Sequence, residues 1–301
     1  MSDLPRSAVL IVNAKARRGQ KLFREACTKL KAAGIDLIAT HALTDPDQLV
    51  PTVKQAVADG APMVIVGGGD GSLSSSVDYL VGTDCVFALL PFGTANSFAR
   101  SLCIPLDIDG AIDVIATGQR RRIDLGMIDG DYYANCAAIG ISPLIAQTVP
   151  HNLKKVAGRP GYLTWAAIQS FRFKPFHLIV DDGHTRSETE ALEVRIANGA
   201  YHGGTELVDA QVDSGEIVVQ VVVGKVKRRL AWSWLLAILR HRSMKDTVVE
   251  YRGREMRIET IPPLPISIDG EVTVNTPVTA KVARGVIEVA APRDEQEDCP
   301  V

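Results

Sequence analysis

Residues 64–76 read VIVGGGDGSLSSS, and residues 86–100 read VFALLPFGTANSFAR. Each starts as an unbroken apolar run, passes through a glycine-containing turn and continues into a helix-like segment. A strand without in/out alternation is one buried on both faces, as in a parallel sheet covered by helices. Two such strand-to-helix turns open at one carboxyl edge, where open α/β sheets bind their ligands. In the first turn Gly67, Gly68, Gly69 and Gly71 let the backbone approach a phosphate chain, and the helix start at Ser72 supplies free N–H groups and a positive dipole end. Asp70, inside that turn, is placed to bind Mg²⁺ directly or through water; otherwise it caps the next helix. In the second turn Thr94 and Asn96 offer a hydroxyl and an amide at the same edge; as structure alone, Pro91-Phe92-Gly93 is a turn and Thr94 an N-cap. The first turn has neither the G-K-[ST] of a Walker A loop nor the G-x-G-x-x-G of a dinucleotide fingerprint.

Working outward, Ala8–Asn13, Ile35–Thr40, Met63–Val66 and Val86–Leu90 read as covered strands, with helices near 20–33, 46–59, 72–80 and 94–102 between and after them. Asp45 is an N-cap candidate before Pro46, and Gly34 and Gly60 are C-terminal stops. This predicts a doubly wound, mainly parallel α/β domain over residues 1–122. From about Arg120 the texture becomes strand-rich, with Asp129-Gly130, Asp182-Gly183, Ser214-Gly215 and Asp269-Gly270 as hairpin signals. Helical segments near 160–172 and 226–241 interrupt it. Residues 123–290 therefore read as a mainly antiparallel β domain, and 291–301 as a polar tail that frays.

Composition narrows the class. A chain of 301 residues with 46% hydrophobic content can bury a substantial core, and its length suggests about two domains. The formal net charge of −2 disfavours nucleic acid as a partner. Five scattered cysteines without a C-x-x-C pair fit a reducing compartment better than disulfides or zinc. The N-terminus lacks a secretory signal, and the longest other apolar run, Leu230–Leu239, falls far short of the roughly 20 residues of a membrane span. The expectation is a cytoplasmic protein. The six histidines show no ligand spacing; His202, beside Gly203-Gly204, is the one to watch.

Taken together, GGGDGS (67–72) and PFGTANSFAR (91–100) resemble the two signatures of the diacylglycerol kinase catalytic family, which includes bacterial lipid kinases and sphingosine kinases. VLIVNAKARRG (9–19) is similar to that family's first strand and phosphate loop, and Arg122–Gly126 to its I-D-[LV]-G strand. YHGGTELVDAQVDSGEIVV (201–219) resembles its glycine-rich segment, and Ile268–Glu271 its late D-G-E motif. The likeness runs in order through some 280 residues, and six motifs in sequence are specific where no single one is.

The resemblance implies an ATP-binding α/β domain, a C-terminal β-sandwich of the NAD kinase/diacylglycerol kinase type, and catalysis in a cleft between them. It implies that Asn13, Lys15, the 67–72 loop and Thr94 bind the nucleotide, that Asp70 and Asp124 organise Mg²⁺, and that Glu271 is the base. The activity implied is transfer of the γ-phosphate of ATP to a lipid hydroxyl, chemistry done mainly by positioning and charge neutralisation. An alcohol nucleophile needs a carboxylate in reach of its proton, and Glu271 follows a turn that could project it; its plainer reading is an exposed hairpin residue.

The chain also departs from the family pattern. Ser97 stands where many members have Asp, Ser72 replaces Thr, and Ala14 and Ala16 replace the Pro and Ser of the first loop. Ser214 replaces the Asp of a segment where some bacterial members hold a structural Mg²⁺, leaving Gln211 and Asp213 nearby. GKVKRRLAWSWLLAILRHR (224–242) reads either as a helix packed on the β domain or as an interfacial helix touching an anionic membrane. Two other kinase classes use a GGDG turn. A 6-phosphofructokinase should show a T-I-D-N-D-like strand, which is missing, while NAD kinase shares the two-domain plan. A catalytically silent lipid- or nucleotide-binding module is the remaining rival.

Overall fold

A computed structural model of the chain describes residues 4–15, 17–148, 173–224, 248–269 and 271–293, together with Trp165, Ile168 and Gln169. These form two compact units that interleave in sequence. Unit 1 takes residues 1–135, 198–215 and 282–301; unit 2 takes 136–197 and 216–281. Composition suggests one cut near residue 122, but the chain returns to unit 1 twice. No composition change marks those returns, because they are made by long-range pairing.

In unit 1, β1 (Ser7–Asn13), α1 (Arg17–Ala32), β2 (Asp36–Leu43) and α2 (Leu49–Ala58) are followed by β3 (Met63–Gly68), α3 (Asp70–Val77) and β4 (Val86–Pro91). Then come α4 (Ser97–Ser101), α5 (Ile108–Thr117), β5 (Gln119–Ile128) and β6 (Asp131–Tyr133). The parallel sheet runs β4-β3-β1-β2, and residues 288–289 of the last strand, Val278–Ala291, add a parallel neighbour to β4. Both β3 and β4 are buried along their whole length, as unbroken apolar runs require. By contrast β2 is largely exposed, with Ile38 at 54%, against the expectation of a covered strand. Among the described residues it is the last strand of the sheet, paired on one side only.

Local signals explain the helix ends. Asp45 accepts the N–H of Asp47 at 3.1 Å and caps a 3-10 turn, Pro46–Gln48, which opens the expected 46–59 helix. Gly34 and Gly60 terminate α1 and α2 at positive φ, which suits glycine. The Asp129-Gly130 turn joins β5 to β6 with Ile128 opposite Asp131.

Among the described residues, unit 2 is antiparallel in every pairing between its strands. Its longest complete strand is Arg186–Ala197. The first half of this strand pairs with Phe176–Asp181, and the second half lies between Cys136–Gly140 and Ile217–Val223. Strands Glu255–Ile261 and Pro265–Ile268 carry the sheet outward to the start of Val278–Ala291 and to Glu271–Asn275 respectively. Asp182 stabilises its loop by accepting the N–H groups of His184 and Thr185, which holds its carboxyl below the usual range. Ser214-Gly215, expected as a hairpin, belongs to unit 1 and is no hairpin: the Gly215 N–H is taken by Asp124. Of the expected helix near 160–172 only three residues are described, and 225–247 and 294–301 lie outside the described residues. Cys27, Cys85 and Cys136 are free, whereas Cys103 is disulfide-bonded, which corrects the all-thiol expectation for that residue.

Candidate functional site

The carboxyl ends of β1, β3 and β4 lie side by side in unit 1, so their three exit loops meet. At the end of β3 there is no room for side chains. A Cβ on Gly67 would come within 2.8 Å of the Phe92 ring, and one on Gly68 within 2.6 Å of Ser72. One on Gly93, in the loop after β4, would come within 2.5 Å of the Gly69 Cα. The two glycine loops therefore touch backbone to backbone. Gly71, in the first turn of α3, is exposed with open space about it, so that helix start is accessible to an anion.

Asp70 is the first helical residue of α3, after Gly69 at the N-cap, so it is not itself the cap. Its Oδ1 accepts the Phe98 N–H at 3.1 Å, which bonds the first loop to the start of α4. Asn13 joins the third loop: its Nδ2 donates to the Ser72 Oγ at 3.5 Å, while its Oδ1 accepts the Lys15 N–H at 3.4 Å. The Lys15 side chain is exposed at this edge.

The second loop corrects two expectations. Asn96, not Thr94, is the N-cap of α4, and it adopts left-handed backbone angles (φ 49°, ψ 45°). The Asn96 amide is not offered to a ligand, as its place in the sequence suggests, but is buried and engaged in its own loop. Its Oδ1 accepts the Gly93 N–H at 2.9 Å, and its Nδ2 donates to the carbonyls of Pro91 and Gly93 at 3.1 Å. Asn96 thus shapes the loop, and Thr94 is left exposed at its tip.

Sequence reasoning does not reveal how the 198–206 segment is held against α4. Ser97 accepts the Gly204 N–H at 3.0 Å, Ser101 donates to the Asn135 Oδ1 at 3.2 Å, and the Asn135 carbonyl accepts the N–H groups of Asn198 and Gly199. The Asn198-Gly199 pair, one residue before Tyr201, is the one signal available in the sequence. His202 lies in the small hairpin formed by Tyr201–His202 and Thr205–Glu206.

Asp124 on β5 is buried, and both carboxylate oxygens are engaged: Oδ2 accepts the Gly215 N–H and Oδ1 the Gly285 N–H, each at 2.7 Å. Among the described residues its side-chain bonds run to these two turns, and none reaches the 67–72 loop. Asp213 is gripped by Arg121 through Nε and Nη2, and Gln211 is exposed, so that pair makes a poor second metal site. Glu271 pairs with Ile268 across a two-residue turn in unit 2; its side chain lies outside the described residues. No group of three or more His, Cys, Asp or Glu among the described residues could hold a metal by itself.

Two family models match the chain: the diacylglycerol kinase catalytic domain over residues 7–128, and the YegS C-terminal NAD kinase beta sandwich-like domain over 136–291. A protein named "Probable lipid kinase YegS-like" from Enterobacter sp. (strain 638) is 28% identical over 228 residues, covering 73% of this chain and 75% of that one. A protein named "Diacylglycerol kinase" from Staphylococcus aureus (strain Newman) is 27% identical over 288 residues, 92% of this chain and 90% of that one. A solved diacylglycerol kinase structure from Bacillus anthracis str. Sterne superposes with a TM-score of 0.73 at 22% identity, covering 95% and 97% of the two chains. That likeness bears on the fold: a parallel α/β domain followed by an antiparallel β-sandwich.

Proposed function

Because the chain belongs to the diacylglycerol kinase family, with a catalytic domain of that type and a YegS-type C-terminal domain, we propose that it transfers the γ-phosphate of ATP to a lipid hydroxyl, assisted by Mg²⁺. The observation that carries this reading is the Asp70–Phe98 bond. It locks a glycine loop and a second strand-exit loop together, with the one carboxylate of the first turn at their junction.

The residues fit a magnesium nucleotide. The glycine backbones and the open start of α3 would receive phosphate oxygens, with Asn13, Ser72, Thr94 and the Lys15 ammonium around them. Mg²⁺ is commonly held by one or two carboxylates plus substrate phosphates, so a site with few protein ligands suits it. Asp70 would be the carboxylate, and the bound ion would neutralise charge on the transferring phosphoryl group. Asp124 would act at one remove, by holding the turns at Gly215 and Gly285. Glu271 would accept the proton of the lipid hydroxyl. A lipid acceptor also requires contact with a lipid surface, and the basic run Lys225–Arg229, outside the described residues, is the segment suited to an anionic one.

The reading is tested by incubating the protein with radiolabelled ATP, Mg²⁺ and a total lipid extract, then identifying labelled product by mass spectrometry. A labelled lipid that disappears when EDTA replaces Mg²⁺ is expected. Label confined to inorganic phosphate, or to NAD when that is supplied, would overturn it in favour of an ATPase or a nucleotide kinase.

A further inference from the structure

Unit 2 carries a buried polar row that the phosphate loops do not use. Glu193 and Arg195 sit on the strand Arg186–Ala197 and are 0% and 5% exposed. Burying an ion pair is costly unless its remaining hydrogen-bonding capacity is met. Here it is met unevenly. Glu193 Oε1 takes both Arg195 Nε and Nη2 at 2.9 Å and the Ser142 hydroxyl at 2.7 Å. Arg195 Nη1 is spent on Gln220 at 2.8 Å. Glu193 Oε2, equally buried, has no hydrogen-bond partner among the described residues. Three donors crowd one oxygen while the other, equally buried, has none among the described residues.

The pairing of strands shows what shares this face. Arg195 lies opposite Ala138, and Ala138 opposite Ser267, so the three point the same way. By the two-residue period Cys136 shares that side, and Asp269, in the turn after Pro265–Ile268, reaches it by accepting the Cys136 N–H on Oδ1 at 3.2 Å. The Cys136 thiol is pushed up to about 12, chiefly by burial; Arg195 acts against this, and Asp269 and Glu193 add to it. All three charges therefore reach one stripe of short side chains. Beside it, Ile141, Ile145, Leu192 and Val222 form an apolar cluster. An orphan acceptor, a stripe of small side chains and an adjacent apolar cluster together suit the head of an amphiphile.

We propose that this stripe is an acceptor-headgroup subsite, in which Glu193 Oε2 receives a hydroxyl of the lipid head other than the one phosphorylated. Arg195 already neutralises the carboxylate, so the matching donor is a neutral O–H rather than an ammonium. The subsite selects lipids with at least two free headgroup hydroxyls over those with one. The name acceptor rests on the lipid kinase reading; the binding preference does not.

The test therefore measures binding without nucleotide. The full chain is titrated, by saturation-transfer NMR, with 1-hexanoylglycerol, which has two free hydroxyls, and with 2-hydroxyethyl hexanoate, which has one and the same acyl chain. At least about tenfold tighter binding of the first is expected, the scale of a hydrogen bond to a charged group. The double variant Glu193→Leu with Arg195→Met should abolish that preference; replacing a buried ion pair by apolar residues of similar size commonly preserves folding. Equal affinities for the wild-type chain, or no binding of either probe, would overturn the subsite whatever the variant does, as would a preference that survives in a folded double variant. If the preference holds but no lipid is ever phosphorylated, the kinase reading falls and the subsite stands. If a lipid is phosphorylated but the preference is missing, the subsite falls and the kinase reading stands.

Discussion

Asp70 has one task in the fold and a second in the proposed chemistry, and a single substitution separates them. Its Oδ1 holds the Phe98 N–H, a structural task that any oxygen of that geometry performs. Its negative charge is what a magnesium nucleotide would need. Asp70→Asn keeps the size and an acceptor oxygen but removes the charge. The expected result is an unchanged circular dichroism spectrum and thermal midpoint, with phosphoryl transfer down by at least about 10²-fold, the scale for losing one electrostatic contributor. Near-normal turnover in a labelled-ATP assay would remove Asp70 from the mechanism. Ser97 teaches a related point. Its identity marks a departure from the family pattern, yet its hydroxyl is employed in accepting the Gly204 N–H. What replaces an expected carboxylate here is a bond to another segment, and no sequence pattern announces such a partner.

At the scale of elements, the strands and their exits are legible because burial on two faces writes itself as an unbroken apolar run. β1, β3 and β4 appear where AVLIVN, MVIV and VFALL stand. The helix after β4 is less legible. Its sequence points to a start at residue 94, but it begins at Ser97, because Asn96 turns left-handed and braces Gly93 and Pro91. The choice of Asn96 over Thr94 as cap depends on that brace, which forms only once the loop is folded. This gives a graded prediction. Asn96→Gly keeps access to positive φ but loses the side-chain bonds, whereas Asn96→Ala loses both. A left-handed conformation costs a non-glycine residue roughly 1–2 kcal/mol. Urea unfolding should therefore show Asn96→Ala less stable than Asn96→Gly by about that amount. Equal midpoints would mean that the loop relaxes out of its left-handed turn and that the backbone at Asn96 is unimportant.

At the scale of the whole molecule, the least legible fact is that unit 1 is assembled from three separate stretches of chain. Asp124 shows how they are held. It lies in the first stretch, while its Oδ2 bonds Gly215 in the second and its Oδ1 bonds Gly285 in the third. Asn198 adds to this by donating to the carbonyls of Asp124 and Ala134. The motif RIDLG suggests a metal ligand, since a carboxylate in sequence looks the same whether it meets a cation or two amides. The two roles predict opposite behaviour without metal. If Asp124 chiefly binds Mg²⁺, Asp124→Asn should leave stability in metal-free buffer unchanged or raise it, by removing a buried charge. If it chiefly latches the returning segments, the amide keeps one acceptor and sets an NH₂ against the second N–H, leaving a buried donor unmade. Such a loss costs about 1–3 kcal/mol. We expect urea unfolding in EDTA to show that loss in full, with added Mg²⁺ restoring none of it. An unchanged midpoint in EDTA would return Asp124 to the metal.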